Sequence, residues 1–209
     1  MITEKQYKNL DDAYQYFNKH LFEGKLNDSI ITLNAKGKTY GYHHFQKYTV
    51  KEDKNKISEI AFNPVTFENQ EDIEVLQTLV HEMVHLWQHL FGNPPRRGYH
   101  DREWGNKMKE IGLYPSSTGS VGGKETGQSM GDYIIAGGQF EKVAGAFLLS
   151  GNKIIVSTSP EVKKDRKKNK TREKFTCPSC FQAAWAKKTA KIMCGDCEEH
   201  MIIEKEEDE

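Results

Sequence analysis

The sequence of 209 residues lacks an excess of either charge and lacks any long apolar run. Thirty basic residues balance thirty acidic ones, so the net charge points to no class of partner. No apolar stretch approaches the roughly 20 residues that span a bilayer, and Met1–Gln6 lacks the apolar core of a signal peptide. We therefore expect a soluble, intracellular protein in the cytoplasm, with no membrane partner.

Cysteine is absent before Cys177, and the four cysteines of the chain form two pairs. Two residues separate Cys177 from Cys180 and Cys194 from Cys197, and thirteen residues lie between the pairs. Two such pairs suit a tetrahedral structural zinc site, in which each pair forms a tight turn. The alternative is two disulfides in a secreted protein, and the missing export signal favours zinc.

The segment His81-Glu82-Met83-Val84-His85 has the spacing of a catalytic zinc site. On an α-helix, side chains four positions apart lie on one face, so His81 and His85 can bind the same ion. Glu82 lies about 100° around the helix from His81, where its carboxylate can act as general base toward a water on the metal. The alternative is a chance glutamate between two helix-face histidines.

Three residues compete to be the third ligand that a catalytic zinc usually takes, beside one position left for water. His89 continues the same helix face, but it lies roughly 12 Å from His81 along the axis, too far to share an ion at bond lengths of about 2 Å. His100 is favoured, because the prolines and glycine of Asn93–Gly98 can turn the chain back toward the helix. Glu103, one turn further along, is the alternative.

Hydrophobic periodicity and turn residues predict helices and short strands in the first half of the chain. The predicted elements are a helix Thr3–Phe22, strands Ile30–Leu33, Tyr40–Phe45 and Ile57–Phe62, a helix Glu71–Leu90, and a helix Asp101–Ile111. Thr3 and Gln6 match a capping box at the first helix, and Asn69 can cap the helix that carries the histidine pair. On the second strand, His43 and His44 are adjacent and point to opposite faces.

The composition changes after the last of these helices. Ser116–Gly151 holds nine of the seventeen glycines, which predicts an irregular segment. Within it, Phe140–Leu149 suits either a short strand or a helix, and periodicity does not decide. We divide the chain into a core over 1–115, a glycine-rich extension over 116–160, a basic linker over 161–174, a cysteine module over 175–203 and an acidic tail over 204–209.

The basic linker and the cysteine module share features that suit nucleic acid. Lys163–Lys174 has eight Lys or Arg against two acids, and each cation that contacts a phosphate adds salt-dependent affinity without sequence preference. In the cysteine module, Trp185 precedes a run of lysines, which suits stacking on unpaired bases. The nucleic-acid contacts predicted on this basis are Lys163, Lys164, Lys167, Lys168 and Trp185. The alternative is that Trp185 packs in the small core of the module while the lysines are solvated.

Two segments, His81–His85 and His100–Trp104, resemble the SprT-like metallopeptidase family, which includes the eukaryotic Spartan proteases. That family has the HExxH helix followed, at this distance, by a third histidine inside a His-Gly-Pro-Glu-Phe-like segment. Here Glu103-Trp104 matches the Glu-aromatic end, whereas Asp101-Arg102 replaces the usual Gly-Pro.

The resemblance extends beyond the two histidine segments. Phe17–Leu26 looks like the first helix and turn of the family, and Ile60–Pro64 looks like the strand before its metal helix. Many bacterial members also end in a four-cysteine zinc ribbon. The likeness therefore covers Thr3 to about Leu113, and the cysteine module by type.

The resemblance implies an α+β, zincin-like metallopeptidase domain followed by a zinc ribbon. It implies that His81, His85 and His100 bind a catalytic zinc and that a second, structural zinc occupies the ribbon. It implies that Glu82 polarises the attacking water. Because the Spartan relatives act on proteins crosslinked to DNA, it also implies a protein substrate, DNA that is single-stranded or carries crosslinked protein, and an association with the nucleoid.

A second function remains open at this point. The chain can instead be a nucleic-acid-binding or regulatory zinc-ribbon protein whose protease-like domain is inactive. Glu82 favours the peptidase, since a purely structural domain has no need of a glutamate at that position.

Overall fold

Helices and short strands alternate in the first part of the chain, and a small separate sheet follows. A computed structural model describes residues 1–34, 37, 39–154 and 172–203, and the chain divides into two units, Met1–Pro160 and Glu161–Glu209. The elements of the described residues are α1 (Ile2–Leu21), β1 (Ser29–Leu33), β2 (Gly41–Thr49), β3 (Lys56–Phe62), α2 (Asp72–Phe91), α3 (Arg102–Ile111), β4 (Leu113–Ser116), β5 (Gly131–Ile134), α4 (Gln139–Leu149), β6 (Glu173–Thr176), β7 (Ala183–Ala186) and β8 (Ile202–Ile203). This mixture of helices and small sheets confirms the α+β class.

Among the described residues, no helix combines the length and the apolar character that crossing a bilayer requires.

Helix α1 begins one residue earlier than predicted, and the predicted capping box is wrong. The helix starts at Ile2, so Thr3 lies inside the first turn and cannot be the cap, while Gln6 is buried. Gly24 follows the end of the helix: its φ of +71° suits a glycine, and its N–H donates to the carbonyl of Asn18 over 2.8 Å.

The three strands of the first sheet are ordered β1-β3-β2, with β1 parallel and β2 antiparallel to β3. Strand β2 is longer than predicted, because an irregularity after His44 lets the pairing resume at Tyr48. Gln46, within that irregularity, has a φ of +50°. Ile60 and Phe62 on β3 are buried in the core, which sits between the sheet and the helices.

Helix α2 is the central helix, and an apolar stripe along it is buried. The fully buried side chains include Leu76, Val80, Met83 and Val84. The cap differs from the prediction: Glu71 and Glu74 form the capping box, and Asn69 is instead the last residue of a 3₁₀ turn over Phe67–Asn69. On α3, Trp104, Met108 and Ile111 are buried.

The prediction of an irregular segment over Ser116–Gly151 is wrong for two parts of it. Strands β4 and β5 pair as an antiparallel hairpin, and α4 is a helix, which settles the ambiguity over Phe140–Leu149. The reason is burial: Phe140 and Phe147 pack into the main core, where Phe140 stacks on Phe17 at 5.9 Å between ring centroids. The segment therefore belongs to the same core as the helices before it.

The second unit is a three-stranded sheet of order β7-β6-β8 over a small core. Its buried members are Phe175, Cys177, Cys194 and Met201. Strand β6 begins at Glu173, two residues before the predicted start of the cysteine module. The lysines predicted to contact nucleic acid, Lys163, Lys164, Lys167 and Lys168, lie outside the described residues, as does the tail 204–209.

Candidate metal centres

Three histidines converge at the middle of helix α2. His81 and His85 lie one turn apart on the helix, and His100 reaches them from the residue pair that precedes α3. One ring nitrogen from each lies within 4.8 Å of the others, and Nε2 of His85 is 3.0 Å from Nε2 of His100. The structure thus brings together the three residues predicted as ligands, in a group that can hold a metal ion.

The position of His100 is determined by backbone and packing contacts that local sequence patterns do not reveal. Its N–H donates to the carbonyl of Gly127 over 2.7 Å, and the N–H of Gly127 donates back over 3.0 Å. Asp101 then caps α3 by accepting from the N–H of Trp104 at 3.0 Å. These contacts fix where the third histidine lies relative to α2.

The indole of Trp104 packs against all three histidine rings. Its centroid lies 4.9 Å from the ring of His81, 5.5 Å from that of His85 and 4.5 Å from that of His100. Trp104 is fully buried, so it closes this side of the histidine group to water. The group therefore has a buried aromatic wall on this side.

Glu103 and His89, the other candidates for the third ligand, are engaged elsewhere. The Glu103 carboxylate accepts from Nε2 of Gln88 at 2.9 Å and from the N–H of Asn93 at 2.7 Å, which ties the end of α2 to the following loop. Nδ1 of His89 donates to the carbonyl of His85 on its own helix at 2.9 Å. Neither residue belongs to the histidine group.

Glu82 is buried beside the histidines, at a close approach of strand β2. Burial raises the pKa of Glu82 to about 7, while a hydrogen bond from the backbone N–H of His43 acts in the opposite direction. A Cβ at Gly41 would lie 3.3 Å from Oε1 of Glu82 and 3.0 Å from the carbonyl of Ala61. A glycine at position 41 therefore lets β2 lie against this carboxylate.

Burial also keeps two of the three histidines neutral near pH 7. It lowers the pKa of His85 well below its ordinary value and, together with the charge of His81, lowers that of His100 to about 4. Burial acts the same way on His81, but the hydrogen bond with Asp132 and the negative charges of Glu82 and Asp132 together outweigh it and raise the pKa. Neutral imidazoles have the lone pairs that metal coordination requires.

Asp132 is a residue of this centre that sequence analysis missed. Its Oδ1 lies 2.8 Å from Nδ1 of His81, and its Oδ2 and backbone carbonyl each accept from Nε2 of Gln77 at 2.8 Å. Asp132 lies 51 residues after His81, inside the glycine-rich segment. In the sequence, Asp132 is marked only by its place before the short apolar run Tyr133–Ile135. That pattern is too common to identify a functional residue.

His43 and His44 point to opposite faces of β2, as expected for adjacent strand residues. The His43 ring stacks on His85 at 6.5 Å between centroids and contacts His89 at 5.2 Å. Burial lowers the pKa of His43 to about 3. His44 is exposed, so only His43 contributes to the surroundings of the histidine group.

The four cysteines form a second group, within the ribbon sheet. Their Sγ atoms all lie within 4.8 Å of one another, and none forms a disulfide. A hydrogen bond from the backbone of Cys180 lowers the pKa of the Cys177 thiol to about 7, whereas the hydrogen bond with Cys180 raises that of Cys197 to about 12. Four adjacent thiols resist ionising together, and a bound cation removes that resistance.

Both donor sets fit a metal ion. Three imidazoles suit a site with an open position, and four thiols suit a closed, tetrahedral site. The two turns of the ribbon are alike: the N–H of Phe181 donates to the carbonyl of Cys177 at 3.0 Å, and the N–H of Glu198 donates to that of Cys194 at 2.9 Å. Each turn therefore directs the two thiols of its pair toward the same point.

The histidine group lies in an α+β domain and can hold a metal ion, and comparison with known families shows the class of protein to which this domain belongs. The family model described as SprT-like family matches residues 10–120, and the chain belongs to this family. At the level of the family, membership indicates a metallopeptidase-type enzyme.

Two curated relatives share part of the sequence. An uncharacterized protein in the mucB 3' region of Salmonella typhimurium is 36% identical over 58 residues, which cover 28% of this chain and 78% of that protein. Protein SprT of Glaesserella parasuis is 28% identical over 120 residues, which cover 56% of this chain and 65% of the relative. The chain thus spans just under two thirds of that SprT protein. No solved structure matches the chain.

Proposed function

We propose that this protein is a zinc-dependent metalloendopeptidase whose catalytic ion is held by His81, His85 and His100. The observation that carries the proposal is the convergence of three ring nitrogens within 4.8 Å beside the buried carboxylate of Glu82. A purely structural metal site has no use for a buried acid at this position, because a carboxylate is costly to bury.

The residues around the histidine group have separable tasks. A zinc ion bound there would supply Lewis-acid activation of water and of the scissile carbonyl. Glu82 would take the proton of the attacking water on its carboxylate and pass it to the leaving amine. Gly41 allows strand β2 to approach, and the backbone N–H of His43 holds the carboxylate. Trp104 excludes water from behind the ligands.

This proposal is tested by metal content and cleavage on the full chain. We expect two zinc ions per chain, one for each donor group, and cleavage of an unfolded protein such as reduced casein. Dialysis against a chelator should abolish cleavage, and added Zn²⁺ should restore it. A chain that carries both ions and cleaves neither free nor DNA-bound protein would overturn the proposal.

We further propose that the substrates are proteins associated with DNA, and that the ribbon and linker bind the nucleic acid in the cytoplasm or nucleoid. The outer face of the ribbon sheet supports this. Phe175 faces the ribbon core, so its neighbour Lys174 and the cross-strand partner of Lys174, Trp185, point the other way. Trp185 is 62% exposed, which argues against the alternative in which it packs in the core.

Phe181 adds a second exposed ring to the ribbon. It is 76% exposed and has a φ of +60°, in the left-handed region that favours glycine. A phenylalanine there costs about 1 kcal/mol or more and buries little surface, so folding does not account for it. Exposed aromatic rings beside lysines suit stacking on unpaired bases.

The nucleic-acid proposal is tested by titrating single-stranded DNA at low salt. Trp185→Ala should weaken binding by about 5- to 150-fold, which corresponds to about 1–3 kcal/mol per stacked base. Trp185→Phe, which keeps an aromatic face, should retain most of the affinity. Neutralising Lys163, Lys164, Lys167 and Lys168 should weaken binding and flatten its salt dependence. Equal binding by all variants would leave these side chains as solvated surface.

A further inference from the structure

The β4–β5 hairpin, with the loop that joins its strands, contacts two of the three histidines. Gly127, in the loop, pairs with the backbone of His100 in both directions, and Nδ1 of His100 donates to its carbonyl at 3.3 Å. Asp132, at the start of β5, contacts Nδ1 of His81. Helix α2 therefore supplies two ligands, but the hairpin determines how two of the three rings are turned.

The Asp132 carboxylate is buried, with only 5% of its side chain exposed. A buried carboxylate is unfavourable unless charged or polar partners compensate it. Both of its partners, Gln77 and His81, lie on α2 and are four residues apart, so they present adjacent donors on one face of the helix. The carboxylate thus bridges β5 to the metal-binding face of α2.

The contact determines which nitrogen of His81 carries the proton. A carboxylate only accepts hydrogen bonds when ionised, so Nδ1 of His81 must donate. Nε2 is then left with its lone pair, which is the atom a metal ion needs. The same holds for His100, whose Nδ1–H donates to a carbonyl. In both cases the hairpin accepts at Nδ1 and leaves Nε2 for the metal.

We propose that Asp132 is a positioning residue of the catalytic metal centre, which orients His81 through Nδ1, and that Gln77 in turn holds Asp132. This rests on the proposed function, because it requires the histidine group to bind a metal. Carboxylates that accept from metal-bound histidines fix the ring orientation and strengthen the ligand.

Folding of the hairpin does not explain the buried carboxylate. Strands β4 and β5 already pair over four residues each, and the rings of Tyr114 and Tyr133 stack across the hairpin at 5.2 Å. An apolar residue at position 132 would bury the same surface without the desolvation cost of a charge. The carboxylate is therefore best explained by what it does to His81.

The test is the zinc affinity of the histidine site in Asp132→Asn, measured on the full chain by competition with a chromophoric chelator. The affinity should fall by about 10- to 100-fold, the range typical of lost partners of metal-bound histidines. The four-cysteine site of the same chain is an internal reference and should keep its affinity. Gln77→Ala should give a smaller loss in the same direction, and little further loss when combined with Asp132→Asn.

Glu125→Gln is the matched control. Glu125 lies on the same hairpin connection and interacts with Lys109 and Tyr114, so the substitution removes a carboxylate without touching the histidines. It should leave both zinc affinities unchanged. Thermal unfolding of the zinc-free chains separates an effect on zinc affinity from an effect on stability. If Asp132 had only a structural role, Asp132→Asn would lower the melting temperature and leave the zinc affinity of the folded protein unaltered.

Two results have different consequences. Unchanged zinc affinity of the histidine site in both Asp132→Asn and Gln77→Ala would overturn the positioning role and leave the proposed function standing. A wild-type chain that binds zinc only at its cysteines would overturn the proposed function, and the positioning role with it. If Asp132→Asn does not fold, the half-buried Gln77 decides the question alone.

Discussion

Replacing Glu82 with glutamine should lower the rate of peptide-bond cleavage by about 10²- to 10⁴-fold, the usual contribution of a general base. Glutamine has nearly the same shape, so it should fit between α2 and β2, where Glu82 is 6% exposed. It has no basic oxygen that can take a proton. Zinc content should therefore stay at two ions per chain while the steady-state rate on an unfolded or DNA-bound protein collapses.

Glu103→Gln is the informative control for this variant. It makes the same change at the alternative third ligand, whose carboxylate instead holds Gln88 and Asn93. The variant should keep its zinc and most of its activity. If wild type and Glu82→Gln were equally inactive with zinc at the histidine site, the chain would be the regulatory or nucleic-acid-binding protein of the alternative hypothesis.

Removing metal from the four cysteines should unfold the ribbon and leave the first unit folded. The ribbon core has four buried members in the described residues, Phe175, Cys177, Cys194 and Met201. Units of fewer than about 40 residues usually need a metal or disulfides to fold, and structural zinc contributes an apparent 10–16 kcal/mol, roughly, in small zinc domains. Cys194→Ser should have the same effect as a chelator.

Amide hydrogen exchange distinguishes the two units. Exchange protection of β6, β7 and β8 should disappear in Cys194→Ser, while α1 and α2 stay protected. Ser179→Ala is the matched control, because Ser179 lies between the two cysteines of the first turn and its hydroxyl donates to the carboxylate of Glu199 at 2.7 Å. That variant should remain folded with its zinc. A ribbon that stays protected without metal would show that the cysteines are not what stabilises it.

The parts of the molecule that could be predicted from sequence are those governed by local geometry. Helical spacing alone places His81 and His85 on one face, and two-residue spacing alone places each cysteine pair in one turn. Local patterns do not decide whether His100 or Glu103 joins the histidine pair. The decision depends on Gln88 and Asn93, which hydrogen-bond the Glu103 carboxylate and hold it elsewhere. His100 was favoured by chain reversal and resemblance, whereas its final position depends on Gly127.

The parts that could not be predicted depend on contacts between distant segments. The apolar run Phe140–Leu149 has no clear period, and its burial against Phe17 decides that it is a helix. Asp132 carries no signal of its own, because its role appears only when β5 lies beside α2. The predicted N-caps of α1 and α2 are wrong for a simpler reason. Met1 and Glu71 cap these helices, although neither is among the residue types favoured at that position.

The pairing of His100 with Gly127 also isolates the tip of the glycine-rich loop from the metal centre. A second backbone contact closes the base of a shorter loop inside this one: the N–H of Ser117 donates to the carbonyl of Lys124 at 2.8 Å. Val121, between them, is 83% exposed. The tip is therefore a natural point for attaching a fluorophore or a peptide tag, because extra length there is absorbed by solvent-facing backbone and does not displace His100.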